Sequence, residues 1–309
     1  MICTCTMNPS LDYFMEFDQF TNQQKLRRST SEYYAAGGKG INVSIVLNNL
    51  GIPSRAFGFL GGFTKDFYIK LLAKYEQIRP NFTYIDGATR INVKLRLGTE
   101  TLRDMHAVGP HINADSMNNL MCKVRGLYEG DTLVLAGNTP EYLEEDTKKM
   151  LQDAIHSGIN VVLDTSPNIM RDMTSCKPFL YKTTPEELSV ILGEECKSKE
   201  SILAGAKKLY EQGVKNVIVL METGIAILVC KDGVFKTHVL NRGDAVNTVG
   251  TGDSMVAGFL MNYLRSKDAL DSFRFGASCG TATAYSKGLA TREKIDSMYE
   301  STDIVRIDE

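Results

Sequence analysis

The stretch DTLVLAGNTPEYLEEDTKKMLQDAIHSGINVVLD, residues 131–164, decides the fold class. Its two ends, Asp131–Ala136 and Asn160–Asp164, are short apolar runs of strand length, and the segment from Pro140 to Ser157 between them carries a helical apolar spacing that Gly158 closes. Strand, helix and strand in that order make one βαβ unit, whose crossover leaves the two strands parallel. The same alternation runs outward from about residue 38. Upstream, a helix entered through GGKG places Ile41, Ile45, Val46 and Leu50 on one stripe, with Gly51 past its end and Pro53 barring continuation. Downstream come helices over Pro185–Leu192 and from about Lys199 to Gln212, then a strand at Val214–Met221. Asp232-Gly233 between Ala226–Lys231 and Val234–Leu240 predicts an antiparallel hairpin. A helix after Gly252 shows Met255, Val256, Phe259, Leu260, Tyr263 and Leu264 on one face. The pattern predicts an α/β fold, a mostly parallel central sheet covered by helices.

Two segments fall outside the alternation, roughly 11–36 and 88–107, and Arg90–Leu97 alternates polar with apolar side chains as a half-exposed strand does. They are expected to form a small separate sheet. With no Pro- or Ser-rich linker and no internal repeat, residues 1–309 read as a single domain carrying that insert.

Composition narrows the partners. Thirty-five Lys and Arg against 37 Asp and Glu give a formal charge of −2, which supplies no basic field for nucleic acid. At 43% hydrophobic and 23% charged, the chain is an ordinary globule with material for a sizeable core. Seven scattered cysteines without a CxxC pair indicate neither a disulfide framework nor a zinc site. MICTCTMNPSLDY lacks the basic and apolar regions of a signal peptide, and no stretch has 18 consecutive apolar residues, so no membrane partner and a cytoplasmic location are expected.

Two glycine-rich helix entries carry the chemistry. Asn247-Thr248-Val249-Gly250-Thr251-Gly252-Asp253-Ser254 runs straight into the amphipathic helix, so outward-turned amides and the helix terminus would hold an anion. A carboxylate in that first turn, Asp253, is placed to take a proton from a nucleophile attacking the bound group, which suggests phosphoryl transfer. Alone, the same residues also fit a plain glycine turn whose aspartate complements the helix dipole. Gly37-Gly38-Lys39-Gly40-Ile41-Asn42 matches neither the P-loop nor the dinucleotide pattern; it offers close backbone approach, a lysine and an amide, or simply a tightly packed helix start.

These two loops, in this order and about 200 residues apart, resemble the signatures of the ribokinase-like (PfkB) sugar kinases. The resemblance extends through TMNPSLD (6–12), GFLGGF (58–63), TRINVKL (89–95), VVLDTSP (161–167), NTVGTGDSMVAGF (247–259) and SKGLATRE (286–293), nearly the whole chain, and is strongest to its 1-phosphofructokinase and tagatose-6-phosphate kinase members. It implies a three-layer sandwich with a β-sheet lid, here about 11–36 and 88–107, that closes over the reaction. By resemblance Asp253 is the general base, and the amides of Gly250, Thr251 and Gly252 stabilise the transferring γ-phosphoryl. Asp12, Gly38 and Asn42 would contact sugar hydroxyls, while Lys39, Arg90 and Arg28 would meet the phosphate already on the sugar. Thr184, Glu222 and Gly224 would border ATP, as would Cys279, whose own residues also fit plain packing in a helix, and Glu187 would help organise Mg²⁺. Fructose 1-phosphate is the expected substrate, with tagatose 6-phosphate as the alternative. The oligomeric state stays open: a homodimer through the lid is one assembly the resemblance allows, with Phe14, Phe17 and Phe20 as candidate contacts, while burial within the lid is the commoner role for such residues.

Five segments depart from the family pattern, among them the TEIN-like lid segment, which reads Arg103-Asp104-Met105-His106, and GGFTGD, which reads GGFTKD with Lys65. The family's KPNxxEL reads Lys182-Thr183-Thr184-Pro185-Glu186-Glu187-Leu188, the SMGGDGA-like loop reads Leu220-Met221-Glu222-Thr223-Gly224-Ile225-Ala226, and SGS reads Ala136-Gly137-Asn138. Glu222 near a polyanion weakens ATP binding, and this keeps a second function class open: a kinase-fold sensor that binds sugar phosphate with little or no turnover.

Overall fold

The computed structural model describes residues 1–18, 28–98, 100–239 and 248–307. Residues 19–27 of the first segment expected to form the lid, with Phe20, and Asn247 of the second glycine loop lie outside these. In chain order the elements are β1 Ile2–Thr6, β2 Ser10–Phe17, β3 Ser31–Gly37, α1 Lys39–Asn49, β4 Ser54–Gly61, α2 Gly62–Leu72, β5 Ile78–Pro80, β6 Thr83–Ile85, β7 Arg90–Leu97 and β8 Glu100–Met105. Then follow α3 Ala114–Arg125, β9 Thr132–Gly137, α4 Glu144–His156, β10 Asn160–Thr165, α5 Pro167–Met173, β11 Leu180–Thr183, α6 Pro185–Leu192, α7 Lys199–Glu211 and β12 Val217–Leu220. The chain closes with β13 Ile225–Cys230, β14 Gly233–His238, α8 Thr251–Ser266, α9 Ala269–Ala284, α10 Arg292–Tyr299 and β15 Val305–Arg306.

The large sheet runs β15-β14-β13-β12-β11-β10-β9-β1-β4-β5, with β6 paired to β4. From β12 to β5 its strands are parallel, and β13, β14 and β15 add an antiparallel margin. Alternation along each strand sorts side chains to two faces. On β9 and β10, Leu133, Leu135, Val161 and Leu163 join one core cluster with residues of α3 to α7. Val134, Ala136 and Val162 join a second cluster with α1, α8, α9 and α10. Three layers result, helices on each face of one sheet. No helix among the described residues is long and apolar enough to cross a membrane.

The smaller sheet, β3-β2-β7-β8, stands apart from this sandwich. Its β2–β7 register places Asp12 beside Asn92 and Phe14 beside Lys94. One face therefore carries Asp12, Phe14, Asn92, Lys94 and Arg96, and the other Tyr13, Met15, Ile91, Val93 and Leu95. Phe14 lies on the polar face, stacked on Tyr33 with ring centroids 4.5 Å apart, and Phe17 is buried. Both sit within the small sheet's own packing, the commoner of the two roles expected for them; alternation turns other residues outward.

Two boundaries shift from the sequence reading by three residues or more. The expected Val214–Met221 strand shortens to β12 because Val214 N still donates to Leu209 O, closing α7. The expected Pro140–Ser157 helix enters through a 3₁₀ turn at Glu141–Leu143 before α4 begins.

Candidate active site

Two helix N-termini converge at the carboxyl ends of the parallel strands, the usual place for a ligand in such a sheet. α8 opens after Gly250, whose φ of 82° lies where a β-carbon is disfavoured. Asp253 in its first turn is buried. α1 opens after Gly38, and Asn42 in its first turn donates from Nδ2 to Asp253 Oδ2 at 2.8 Å. Burial raises the Asp253 pKa to about 6, helped by the Asp164 charge and opposed by the Asn42 hydrogen bond, Lys39 and Lys182. Such a carboxylate is mostly ionised at neutral pH yet basic enough to accept a proton.

The sheet supplies charge beneath the loops. Val162 pairs with Leu180 on the α1 and α8 face, so alternation brings Asp164 and Lys182, each two residues on, to that same face. Lys182 Nζ lies 3.4 Å from Asp164 Oδ2, and Lys39 Nζ donates to Asp164 Oδ1 at 2.9 Å. Burial disfavours the Asp164 carboxylate, but the two ammoniums outweigh it and hold its pKa below the ordinary range. Burial likewise pulls Lys39 down, and Asp164, with smaller help from Asp253 and Glu187, more than offsets this; the net shift is upward. Two cations share one carboxylate, leaving positive charge under the GTGD backbone. A β-carbon on Gly252 would lie 2.9 Å from Lys182 Nζ, so the loop rests directly on that lysine. Sequence reasoning quoted the segments holding Asp164 and Lys182 but gave neither a role. The available signal was a charged residue at the carboxyl end of each of two otherwise apolar strands.

Across the cleft, Asp12 Oδ1 accepts from Ser10 Oγ at 2.7 Å and from Asn92 Nδ2 at 2.9 Å. Lys94, almost wholly buried, sits 3.9 Å from Asp12 Oδ2 and donates to Asp104 Oδ2 at 2.8 Å; His106 Nε2 lies 2.9 Å from Asp104 Oδ1. Asn92 and Lys94 were also missed, although the period-two run of β7 marks its polar face.

Arg90 is engaged differently from the sequence expectation. Its Nε and Nη2 donate to Asn8 O and its Nη1 to Ala107 O, at 3.2, 2.9 and 3.2 Å. Burial lowers its pKa, against the pull of Asp12. The guanidinium thus straps the small sheet to the loop after β1. Arg28 is exposed and lies beyond the Glu16–Ser31 pair, whereas Asp12 pairs with Ala35. At about 3.4 Å per residue it is the better part of the hairpin length from Asp12 within its own chain, so the two do not meet.

Of the residues expected at the nucleotide, Thr184 and Glu187 form a capping box: Thr184 Oγ1 accepts from Glu187 N and Glu187 Oε2 from Thr184 N at 3.3 and 3.0 Å. The threonine in the asparagine's place caps α6. Glu222 is exposed in the β12–β13 turn, where Gly224 N donates to Met221 O. Cys279 is fully buried, its Sγ lying where a β-carbon on Gly258 would sit, and burial pushes its thiol pKa far up. It packs α9 onto α8, in line with the packing role its residues allowed and away from the nucleotide contact the resemblance implied. For Mg²⁺, no group of three or more acidic, histidine or cysteine side chains among the described residues is arranged as a cage. A Mg²⁺ that keeps its waters and rides on phosphate needs one or two carboxylates. Glu187, and Asp164 with its buried Oδ2 lacking a hydrogen bond, fit that need.

With the geometry in place, known proteins supply the relationship. The family described as pfkB family carbohydrate kinase matches residues 6–295. A 1-phosphofructokinase of Bacillus subtilis is 38% identical over 308 residues, covering 99% of this chain and 100% of that protein. A D-tagatose-1-phosphate kinase of Bacillus licheniformis is 30% identical, covering 99% and 100%. The crystal structure of a putative phosphofructokinase from Staphylococcus aureus superimposes with a TM-score of 0.85 at 33% identity, covering 100% of this chain and 99% of that one.

Proposed function

The chain belongs to the pfkB family of carbohydrate kinases, phosphotransferases with a sugar hydroxyl as acceptor, and on that premise we propose that it transfers the γ-phosphoryl of ATP to O6 of fructose 1-phosphate, giving fructose 1,6-bisphosphate and ADP. The observation that carries the reading is the joint between the two helix N-termini, a buried Asp253 held by Asn42 over the Lys39–Asp164–Lys182 cluster.

In this mechanism Asp253 takes the O6 proton as the O6–phosphorus bond forms and the bond from γ-phosphorus to the bridging oxygen breaks, with the electron pair leaving on ADP. The amides of Gly250, Thr251 and Gly252 receive the charge spread over the transferring group. Lys182, pressed against Gly252, adds a positive charge from below. Asp12, held by Ser10 and Asn92, orients the sugar through hydroxyl protons. Mg²⁺, when bound, neutralises phosphate charge, and Glu187 and Asp164 are the residues that would hold it or its waters. The small sheet acts as a lid whose polar face excludes water from the cleft. Its outer face, with half-exposed Tyr34, Ile91 and Met105, packs on a second copy of the chain.

A coupled ADP-release assay with Mg·ATP on fructose 1-phosphate, D-tagatose 1-phosphate, tagatose 6-phosphate and fructose 6-phosphate tests the reading. Activity on fructose 1-phosphate should exceed the others and drop by about 10³-fold or more in Asp253→Asn, with sugar affinity little changed. Turnover near the parent level in that variant would falsify the assignment of the base. D-Tagatose 1-phosphate is the second reading, since it differs from fructose 1-phosphate only at C4 and a relative carries that name. Retention of the base speaks against a pure sensor.

A further inference from the structure

The cleft continues past Asp12 and Asn42 into a cavity of about 320 Å³ whose walls include Lys74 just beyond α2, Arg96 on β7 and Lys287 just beyond α9. That volume is at the small end for ligand sites and suits a phosphorylated metabolite. None of the three cations forms an ion pair among the described residues. Arg96 packs over the Phe14 ring at 5.5 Å, and Lys74 over the Tyr75 ring at 5.0 Å. Glu16 stands opposite Arg96 in the strand register without pairing to it. Most telling, Arg96 Nε is buried with no hydrogen-bond partner, an arrangement that is costly unless a ligand completes it. Of the three side chains that the family resemblance offered for the sugar's resident phosphate, two are meanwhile engaged, Lys39 by Asp164 and Arg90 by backbone carbonyls.

We propose that Lys74, Arg96 and Lys287 form a phosphate subsite. Arg96 grips the dianion through its planar N–H groups, the two lysines add point charges at the mouth, and Phe14 and Tyr33 wall the site from water. Asp12 and Asn42 line the same cavity, so a phosphate there sits at one end of a ligand whose other end meets Asp253. The phosphate comes either from the substrate, in which case the subsite rests on the kinase reading above, or from a separate phosphorylated metabolite.

The test compares the full-length parent with Lys74→Gln/Arg96→Gln/Lys287→Gln, by titration calorimetry with inorganic phosphate and with fructose 1-phosphate, and by steady-state kinetics. Mg·ATP binding, which should be unchanged, controls for folding. If the substrate's own phosphate is the occupant, KM for fructose 1-phosphate rises tenfold or more and inorganic phosphate competes with the sugar in the parent. If a separate metabolite is the occupant, KM stays put in phosphate-free buffer while inorganic phosphate binding disappears. Either supports the subsite, and identical binding of both probes by parent and variant overturns it. Should the triple variant fold poorly, the exposed positions Lys74→Gln and Lys287→Gln, taken singly, should each move the same affinity severalfold. A parent that binds phosphate through these residues but turns over no sugar phosphate would end the kinase reading and leave the subsite standing. A triple variant that turns over fructose 1-phosphate and binds inorganic phosphate just as the parent does would do the reverse.

Discussion

What makes Asp253 costly to the fold is also what suits it to the proposed role of base. Its folded pKa of about 6 lies above the ordinary aspartate range near 4, so the folded state binds the proton more tightly than the unfolded chain. The stability linked to this group is therefore fully present below about pH 4 and is lost as pH rises through about 6. Asp253→Asn should melt above the parent at pH 8, with the gain shrinking towards pH 4.5; scanning calorimetry at both values checks this, and an equal gain at both would show that charge burial is not the cause. The rate should follow the same group, with kcat/KM rising along an acid limb centred near pH 6. Asp164 has the opposite sign. Its lowered pKa means its contribution is present above the unfolded value and disappears with acid, and Asp164→Asn would strand two ammoniums, costing about 3 kcal/mol in a urea titration. That Asp253 and Asn42 belong to the cleft could be read from sequence because each sits at a fixed offset in a glycine-rich helix entry, but not that Asn42, expected on the sugar, donates to Asp253. Asp164 and Lys182 could not, because their meeting depends on which strands lie side by side and on which face each side chain points.

At the scale of elements, β7 does more than cover the cleft. Its polar face delivers Asn92 and Lys94 to Asp12, and Lys94 ties Asp12 to Asp104 on β8. Lys94→Met keeps the length of the side chain but leaves Asp104 without its ammonium and Asp12 less well placed. It should raise KM for the sugar phosphate about tenfold with kcat within a few-fold, as two lost charge-assisted contacts would. Initial-rate kinetics decide it, and an unmoved KM would mean that Lys94 serves packing alone. The strand itself was visible in the alternation of Arg90–Leu97, as were α1, α6 and the β13–β14 hairpin, each marked by a periodic run with glycine or proline at its end. The short β5 and β6 carry no periodic run and were not read. The apolar run from Val214 looked like one strand, yet its first residues serve to close α7.

At the scale of the molecule, the small sheet has a sharply two-sided character that neither strand reveals alone. Phe14 faces the cleft while Tyr13, Met15, Ile91 and Val93 face away, so self-association should depend on the latter set. Val93→Glu should shift a dimer towards monomer by light scattering behind size exclusion; an unchanged mass would remove the outer face from the assembly. The parallel sandwich and the separate sheet followed from the alternation and the two segments that broke it, whereas strand order did not, since crossovers leave no mark on local pattern.

That order has a consequence for how the chain is made. β1 sits between β4 and β9, so one side of its backbone finds no partner until a segment far along the chain has emerged. At ribosomal speeds of roughly 5–20 residues per second, the apolar stretch from Ile2 to Thr6 waits on the order of ten seconds with an open edge. Slow, non-local pairing of this kind leaves nascent protein open to misassociation, and the burden falls on chaperones acting early in synthesis rather than on the finished enzyme.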